Sequence, residues 1–347
     1  MKKALGIFML LCLMACESDE DKAGRFYLMG NEELQAGNYK EAIRLYTESI
    51  NKFPEIKEVW NNRGVAYYKN KQYTEAINDY THAIKQLDAY FFDAWRNRAD
   101  AHYEARMLEE AMKDLTFLGE AWPDSAFVHF KAGLVFVAGK EYRYGVNAFR
   151  KALNLEPNNV EGLVNMANAF YLYSTVTGGR YINAAEEHLT KAEQLDPNQP
   201  EIYNTRALIS IYLNDYEDAL VQVNKALELD VNNPYFNNNR GYIYLMTDKL
   251  DEAEADINLS IKGDPENGWA YRNKGIFYYK NERYDDALRN FEQAGLYDDG
   301  IPMLHYYWGS TLLKLNRKEE ACPELRKSVD AFENESRGLF EANCGTI

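Results

Sequence analysis

The stretch WNNRGVAYY, residues 60–68, has loose echoes in WRNRADAHY from Trp95, NNNRGYIYL from Asn237 and YRNKGIFYY from Tyr271. Each carries glycine or alanine at its fifth place. Nine such small residues run through the chain: Gly30, Gly64, Ala99, Gly133, Ala167, Ala207, Gly241, Gly275 and Gly309. Successive members are 34, 35, 34, 34, 40, 34, 34 and 34 residues apart. A period of this size indicates an array of structural repeats.

Each repeat has the pattern of two helices. A second small residue follows the first by twelve positions in eight of the nine repeats, and these residues are Ala42, Ala76, Ala111, Gly145, Ala185, Ala219, Ala253, Ala287 and Ala321. Apolar residues around them keep helical spacing, as in Tyr39, Ala42, Ile43, Tyr46 and Ile50. A turn signal such as Gly37-Asn38 separates the two apolar runs. The pattern therefore predicts helical hairpins.

The period, the hairpin and the aromatic residue four places before the small residue resemble the tetratricopeptide repeat. The resemblance implies an all-α superhelical solenoid of about nine units over residues 23–332, namely 23–56, 57–91, 92–125, 126–159, 160–199, 200–233, 234–267, 268–301 and 302–332. Six additional residues in the fifth unit, around 174–180, are expected to lengthen the turn between its helices. Residues 333–347 are expected to form a capping helix and tail, because a terminal repeat otherwise exposes an apolar face.

The N-terminus has the pattern of an export signal. Residues 1–15, MKKALGIFMLLCLMA, join two lysines to an apolar run that is too short for a stable membrane span. Leu13-Met14-Ala15-Cys16 resembles the lipobox of bacterial lipoproteins, which implies that Cys16 carries acyl chains such as palmitate and becomes the mature N-terminus. The expected location is the outer membrane, with a lipid anchor on the periplasmic face or at the cell surface.

Residues 16–22 are expected to form an acidic tether after the lipidated cysteine. They resemble the surface-export signal of Bacteroidetes lipoproteins, and a plain solvated linker is the alternative. Cys12 lies in the removed segment and Cys16 carries lipid, so Cys322 and Cys344 remain. In an oxidising compartment these two are expected to form a disulfide that fastens the capping helix.

Charge and motifs argue against several function classes. The 347-residue chain has a formal net charge of -15, which repels the phosphates of nucleic acid. It carries no HExxH, GxSxG, P-loop or CxxC signature, and its five histidines fall in different repeats. We therefore expect no enzyme activity, no catalytic residue, no metal site and no small-molecule cofactor.

The family resemblance implies that the first helices of the units line a concave groove. Helical spacing places five positions of each first helix on that side: six and three before the small residue, and one, four and five after it. We call them the face positions. The predicted partner-binding residues among them are Phe127, Phe130, Leu134, Tyr171, Tyr212, Tyr235, Tyr242, Trp269 and Tyr279. The alternative is packing between hairpins, which is favoured for Val137, Ile211 and Leu245.

Asparagine lies two places before the small residue in five units, at Asn62, Asn97, Asn165, Asn239 and Asn273. An amide both donates and accepts hydrogen bonds, so the row predicts either a ladder that holds an extended peptide backbone or structural bonds between repeats. The basic residue that follows is expected to form ion pairs between repeats, at Arg63, Arg98, Arg206, Arg240 or Lys274.

These features together predict a membrane-anchored scaffold that binds a protein or extended peptide partner in its groove. The family resemblance implies a setting in envelope secretion or outer-membrane assembly. The alternative is a lipoprotein that captures glycans or nutrients, because tyrosine and tryptophan rings have an apolar face and a polar tip that also suit sugar rings.

Overall fold

The computed structural model describes residues 18–331 and 334–345 of the chain. Residues up to Pro157 form one compact unit and residues from Asn158 form a second. Within the described ranges every regular element is helical, which confirms the predicted all-α class.

The first unit is built from four helical hairpins. Its helices are α1 (Asp19–Gln35), α2 (Tyr39–Lys52), α3 (Lys57–Lys69), α4 (Tyr73–His82), α5 (Phe92–Glu104), α6 (Leu108–Ala121), α7 (Ala126–Ala138) and α8 (Tyr142–Leu155). A π-helical turn, Ala83–Leu87, continues α4.

The second unit is built from five hairpins and one further helix. Its helices are α9 (Val160–Thr177), α10 (Ile182–Leu195), α11 (Pro200–Tyr212), α12 (Tyr216–Leu229), α13 (Pro234–Met246), α14 (Leu250–Gly263), α15 (Gly268–Lys280), α16 (Tyr284–Tyr297), α17 (Leu304–Lys314), α18 (Lys318–Asp330) and α19 (Asn334–Cys344).

The small residue of each first helix makes room for a buried side chain of the second helix. In most hairpins that side chain lies sixteen residues later, and in several it is aromatic. A Cβ atom placed at Gly275 would lie 2.4 Å from Cε1 of Phe291, and one at Gly133 would lie 2.6 Å from Cδ1 of Phe149. Both rings are buried. Glycine recurs at these places because the two helices close directly over an aromatic ring.

The turn inside most hairpins contains one residue in the left-handed conformation. These residues are Gly37, Lys71, Arg106, Lys140, Asn214, Asp248, Glu282 and Asn316. The seven that are not glycine have φ between 55° and 61°. The same conformation ends the first helix and starts the second in each case, so the turn geometry repeats although its residue type does not.

The insertion in the fifth hairpin lengthens a helix, so the predicted longer turn is wrong. Helix α9 has 18 residues, whereas α7 and α11 have 13 each. The helix ends only at Gly178, which has φ 69°. Tyr173 near the end of α9 stacks on Tyr181 with ring centroids 4.6 Å apart, so the added turn packs on the connection to α10.

The acidic residues after Cys16 begin the first helix, which corrects part of the predicted tether at 16–22. Ser18 caps α1: its hydroxyl accepts from the backbone N–H of Asp21 at 3.0 Å, and the Asp21 carboxylate accepts from the backbone N–H of Ser18 at 3.2 Å. Carboxylates in a first helical turn also suit the helix dipole. Cys16 and the predicted signal peptide, 1–15, lie outside the described residues.

The predicted capping helix is present as α19, and the predicted disulfide is present as well. Cys322 of α18 and Cys344 of α19 are bonded, with Cα atoms 5.6 Å apart. Phe340 is buried, and the Arg326 guanidinium lies 4.5 Å from the centroid of its ring. The disulfide and this ring together hold α19 on the last hairpin.

Candidate functional site

The first helices of the second unit lie against one another in series. Helix α9 contacts α11, α11 contacts α13, α13 contacts α15 and α15 contacts α17. Among the described helices of this unit, no two second helices of neighbouring hairpins contact each other as closely. Closer first helices are expected on the inner side of a curved array.

Aromatic side chains occupy face positions in the last three hairpins. Tyr242 lies on α13, Trp269 and Tyr279 lie on α15, and Tyr306 lies on α17. Ser310 follows Tyr306 by one helical turn. We call these five residues the aromatic face. Trp269 keeps 42% of its surface exposed, and the three tyrosines are half-buried.

Two groups hold the aromatic face in place, the half-buried Tyr307 and the buried Arg272. Tyr307 stacks on the buried ring of Phe291, and its centroid lies 5.8 Å from that of Tyr279 and 5.2 Å from that of Tyr306. These contacts couple rings of two neighbouring hairpins to the core. The rings are therefore positioned before any partner arrives.

Arg272 is the second of these groups, and it contacts the two remaining rings, those of Tyr242 and Trp269. Its guanidinium lies 4.9 Å from the ring centroid of Tyr242 and 5.0 Å from that of Trp269. It donates to Oδ1 of Asn273 at 2.6 Å and to the carbonyl oxygen of Pro302 at 3.0 Å. Because these hydrogen bonds fix the guanidinium, the rings of Tyr242 and Trp269 that contact it are restrained as well.

The aromatic face presents hydrogen-bond donors that the protein itself does not use. Within the described residues, the hydroxyls of Tyr242, Tyr279 and Tyr306 have no hydrogen-bond partner, and neither has the buried Oγ of Ser310. Burial raises the pKa of the Tyr279 hydroxyl, with a smaller contribution from Tyr306. This hydroxyl therefore keeps its proton at neutral pH and stays a donor.

The indole N–H of Trp269 is free in the same way. Trp60 donates to the carbonyl oxygen of Pro54 at 2.8 Å and Trp95 donates to that of Ala89 at 3.0 Å, so both close a loop of the hairpin framework. The part of the chain that the structure describes offers no such acceptor to Trp269. Trp269 thus differs from the framework tryptophans in both exposure and bonding.

The other predicted groove residues of the second unit lie around the aromatic face or apart from it. Tyr235 is 56% exposed, and its hydroxyl donates to the Asp264 carboxylate at 2.9 Å. Tyr212 and Tyr171 are half-buried on earlier first helices. Leu245 is completely buried, as expected for a residue that packs between hairpins.

In the first unit the predicted groove residues are covered by charged side chains or packed into the core. Phe127 lies under the Arg96 guanidinium, 4.3 Å from its ring centroid. Lys131 approaches the same ring at 5.5 Å and pairs with Asp100 at 2.9 Å. Phe130 packs on the buried ring of Phe149 at 5.6 Å.

Leu134 is half-buried and lines a small pocket beside Asp100, Tyr103 and Lys131. The predicted apolar lining of the first unit thus takes part in contacts within the fold. One ion pair, Lys131 with Asp100, lies beside it, and Phe127, Phe130 and Leu134 are each half-buried.

The asparagine row forms hydrogen bonds between repeats. In the first unit, Nδ2 of Asn62 donates to Oδ1 of Asn31 at 2.9 Å and Nδ2 of Asn97 donates to Oδ1 of Asn61 at 2.9 Å. In the second unit, Asn239 donates to Asn204 at 2.8 Å.

Of the two remaining members of the row, Asn273 follows this pattern and Asn165 does not. Asn273 donates to Oδ1 of Asn238 at 2.8 Å and is fully buried, so it contacts no ligand. Asn165 donates within its own helix to the carbonyl oxygen of Glu161. The geometry supports the structural interpretation of the row, and contact of Asn62, Asn97 or Asn239 with a partner stays a prediction.

The basic residues after the asparagines pair differently from the expectation. Arg63, Arg98 and Arg240 pair with the aspartate sixteen residues later, in the second helix of the same hairpin. Only Arg206 and Lys274 pair with the preceding hairpin, through Glu193 and Glu254. The interval of sixteen also separates the small residue from its buried partner, which explains why these three ion pairs stay inside one hairpin.

Three face residues of the ninth hairpin were missed at the level of sequence: Tyr306, Ser310 and Lys314. They lie three before, one after and five after Gly309, so the spacing that identified the other groove residues also identifies them. Arg272 was missed as well, although it lies three places before Gly275. The signal was present in the repeat register.

The described residues form neither a metal site nor a membrane span. Within residues 18–331 and 334–345, no three histidine, cysteine or acidic side chains are grouped so as to hold a metal ion. None of the helices in these ranges combines the length and the apolar character that a membrane span needs.

Known proteins share the repeat over short segments. Mitochondrial import receptor subunit TOM34 of Homo sapiens is 40% identical over 67 residues, which is 19% of this chain and 22% of that protein. The heat shock protein sti1 homolog of Schizosaccharomyces pombe is 37% identical over 76 residues, 22% of this chain and 13% of that protein. The chain thus spans less than a quarter of the length of these relatives.

The fold matches solved structures over a larger part of the chain. The crystal structure of the APC/C hetero-tetramer Cut9-Hcn1 superposes with a TM-score of 0.62 at 14% identity, covering 94% of this chain and 77% of that one. The sequence profile of the tetratricopeptide repeat matches residues 27–90, 204–268 and 273–336, more than half of the chain. With nine hairpins of the same period and packing, the chain belongs to the tetratricopeptide repeat family.

Proposed function

We propose that the protein is a scaffold, anchored to the outer membrane through lipidated Cys16, which binds a protein or extended peptide on the aromatic face of its second unit. The observation that carries the proposal is the set of exposed or half-exposed rings on three successive first helices, whose donors have no partner within the described residues. Rings fixed in position with unused polar tips are typical of binding hot spots.

The relatives support a protein partner. One is described as an import receptor subunit and another as a heat shock protein homologue, and both share only the repeat segment with this chain. A role in an envelope secretion or outer-membrane assembly complex is the further part of the proposal. It rests on the lipoprotein-like residues 1–16 together with a repeat array that has no catalytic motif.

Site-specific crosslinking tests the binding surface. A photoreactive amino acid placed at Tyr242 in cells is expected to crosslink one or a few defined proteins. Placed at Tyr144, an exposed tyrosine of α8 in the first unit, it is expected to crosslink none of them. Identical crosslinks at both positions, or none at Tyr242, would overturn the proposed surface.

The anchor is tested separately. The variant Cys16→Ser cannot be acylated and is expected to be absent from the membrane fraction, while the protein that keeps Cys16 stays there. Retention of the variant in the membrane fraction would refute the lipobox interpretation without affecting the binding surface.

The second candidate function is glycan capture, which the exposed ring of Trp269 favours. Binding of the purified protein to an immobilised glycan, lost in Trp269→Ala and independent of any protein partner, would replace the scaffold proposal.

A further inference from the structure

The charge of the aromatic face differs from the charge of the whole chain. The chain has a formal net charge of -15, yet the fifteen face positions of the last three hairpins contain no aspartate and no glutamate. They contain three basic residues, Arg272, Lys280 and Lys314. Lys280 pairs with Asp248 at 2.7 Å, whereas Lys314 is exposed and has no ion-pair partner within the described residues.

The face carries several hydrogen-bonding groups that have no partner within the described residues. They are the hydroxyls of Tyr242, Tyr279 and Tyr306, each of which can donate and accept, and the indole N–H of Trp269, which only donates. The nearby amides are occupied: Oδ1 of Asn238 accepts from Asn273, and Oδ1 of Asn273 accepts from Arg272. The face therefore offers four donors to the carbonyl groups of a partner.

We propose that the aromatic face binds a proline-rich segment in the polyproline II conformation, followed by an acidic residue that pairs with Lys314. This inference rests on the proposed function and names the chemistry of the partner. Each proline offers a carbonyl acceptor for these donors and brings no backbone N–H that would need an acceptor. Proline rings also pack flat against tyrosine and tryptophan.

The spacing of the helices favours the same conformation. Polyproline II repeats every three residues, with a rise of about 3.1 Å per residue and therefore about 9 Å per turn. Packed neighbouring helices are about 8–10 Å apart. One turn of a proline segment is then about as long as the interval between neighbouring first helices, and α13, α15 and α17 carry Tyr242, Tyr279 and Tyr306. A β-strand repeats after about 7 Å and loses this register.

Fluorescence anisotropy with labelled peptides tests the inference on the purified lipidated protein in detergent. The probe is a nine-residue proline peptide that ends in glutamate. One control replaces every proline by glycine at the same charge and length, and another replaces the glutamate by lysine. We expect the proline peptide to bind at least about tenfold more tightly than the glycine control, because it is already extended.

Variants of the face assign the binding. Trp269→Ala and Tyr279→Ala are expected to weaken the proline peptide at least about tenfold. Tyr279→Phe keeps the ring and is expected to cost about fivefold through the lost hydrogen bond. Lys314→Glu is expected to abolish the preference for the peptide that ends in glutamate. Tyr144→Ala, on α8 of the first unit, is expected to change affinity less than twofold.

The outcomes separate this inference from the proposed function. If the glycine and proline peptides bind equally, or if Tyr279→Phe and Lys314→Glu change nothing, the proline inference is overturned. A random peptide display library then tests the scaffold proposal. Selected peptides that contain no proline and do not bind the Trp269→Ala variant would support the scaffold proposal. If no selected peptide depends on the face, both proposals fail. Tyr279→Phe and Lys314→Glu alter the surface only, so the test remains informative should an alanine variant unfold.

Discussion

The first and second units build their hairpins with the same residue types and fill their face positions with different ones. In the first unit Arg98 pairs with Asp114, which lies sixteen residues later, and in the second unit Arg240 pairs with Asp256 at the same interval. At the face positions the third hairpin of the first unit has Arg96 and Asp100, whereas the last three hairpins of the second unit have rings and no acidic residue.

The difference shows which constraints act on each set of residues. A side chain between two helices must fit a fixed volume and satisfy every polar atom, so few residue types suit the place. A face position contacts solvent or a partner, so its residue type is free to follow the partner. In the first unit, Lys131 and Asp100 pair with each other, so these two charges are already neutralised within the protein.

The largest expected effect concerns the shared ion pair. Arg98→Met would leave the Asp114 carboxylate buried beside His102 without its guanidinium partner. A buried charge that loses its partner costs about 3–5 kcal/mol in the free energy of unfolding. Arg240→Met should cost less, because the Arg240 side chain is 25% exposed and that of Arg98 only 9%. Urea denaturation followed by circular dichroism measures both changes.

Hydrogen exchange resolved by peptide serves as the control for these two variants. The loss of protection should lie in the first unit for Arg98→Met and in the second for Arg240→Met, because repeats are stabilised by their neighbours. Equal losses for the two variants would show that exposure of the pair does not set its contribution.

The next effect concerns the glycines that lie over buried rings. In Gly275→Ala the new Cβ would lie 2.4 Å from the fully buried ring of Phe291, so the hairpin must open or the ring must move. We expect a loss of about 1–3 kcal/mol in the free energy of unfolding. Gly24→Ala is the matched control in α1, where no atom lies within 4 Å and alanine is the better helix former. A loss of similar size in both variants would contradict the packing explanation.

A smaller effect separates framework hydroxyls from face hydroxyls. Ser49 in the first unit is buried and donates to the carbonyl oxygen of Ala23 at 2.7 Å, while the buried Oγ of Ser310 has no partner within the described residues. Ser49→Ala should therefore lower the free energy of unfolding by about 1 kcal/mol. Ser310→Ala should leave it unchanged or raise it by up to about 1 kcal/mol. Thermal melts check the two signs, and a loss in both variants would assign Ser310 to the framework.

The smallest effect is a pH dependence confined to the second unit. Burial opposes protonation of His305, but its hydrogen bonds to Glu324 at 2.6 Å and to the carbonyl oxygen of Asp299 at 2.9 Å outweigh this, so its pKa is raised above 6.5. A raised pKa means that the folded state holds the proton more tightly. The added stability is complete below pH 6.5 and is lost as the pH rises through the raised pKa.

Melting temperatures at a series of pH values above 6.5 measure this contribution. The unmodified protein should lose stability over that range, and His305→Asn should not. Lys327 lies within 3.7 Å of Asp299 and 3.4 Å of Glu324 and is present in both proteins, so it does not produce a difference between them. If the melting temperatures of the two proteins change with pH in parallel, His305 is not the cause of the pH dependence.

The hairpins were predictable because their period is a packing constraint that every repeat must meet. The glycine over Phe291 and the glycine over Phe149 are required for the same reason, and their spacing is visible in the residue string. The turn residues were less visible, since Lys71 and Glu282 adopt the left-handed conformation without being glycine. The insertion was misplaced because helix α9 continues through it until Gly178.

The candidate site was predictable in part. Helical spacing selected Tyr242, Trp269 and Tyr279, which the structure places on neighbouring first helices. The same spacing selected Phe127 and Phe130, whose rings are covered by Arg96 or packed on Phe149. Residue type gives the side of a helix but not the neighbours that cover it, because those come from other hairpins.

The residue string settled the number of hairpins and their period, because these follow from contacts at fixed distances along the chain. It also supplied the asparagine row and the arginines after it. Only the folded chain decided that most of these asparagines bond to an asparagine of the preceding hairpin, that three arginines pair within a hairpin, and that the donors of the aromatic face have no partner within the described residues. These outcomes depend on which polar groups from different helices come within hydrogen-bond distance, and sequence spacing does not determine that.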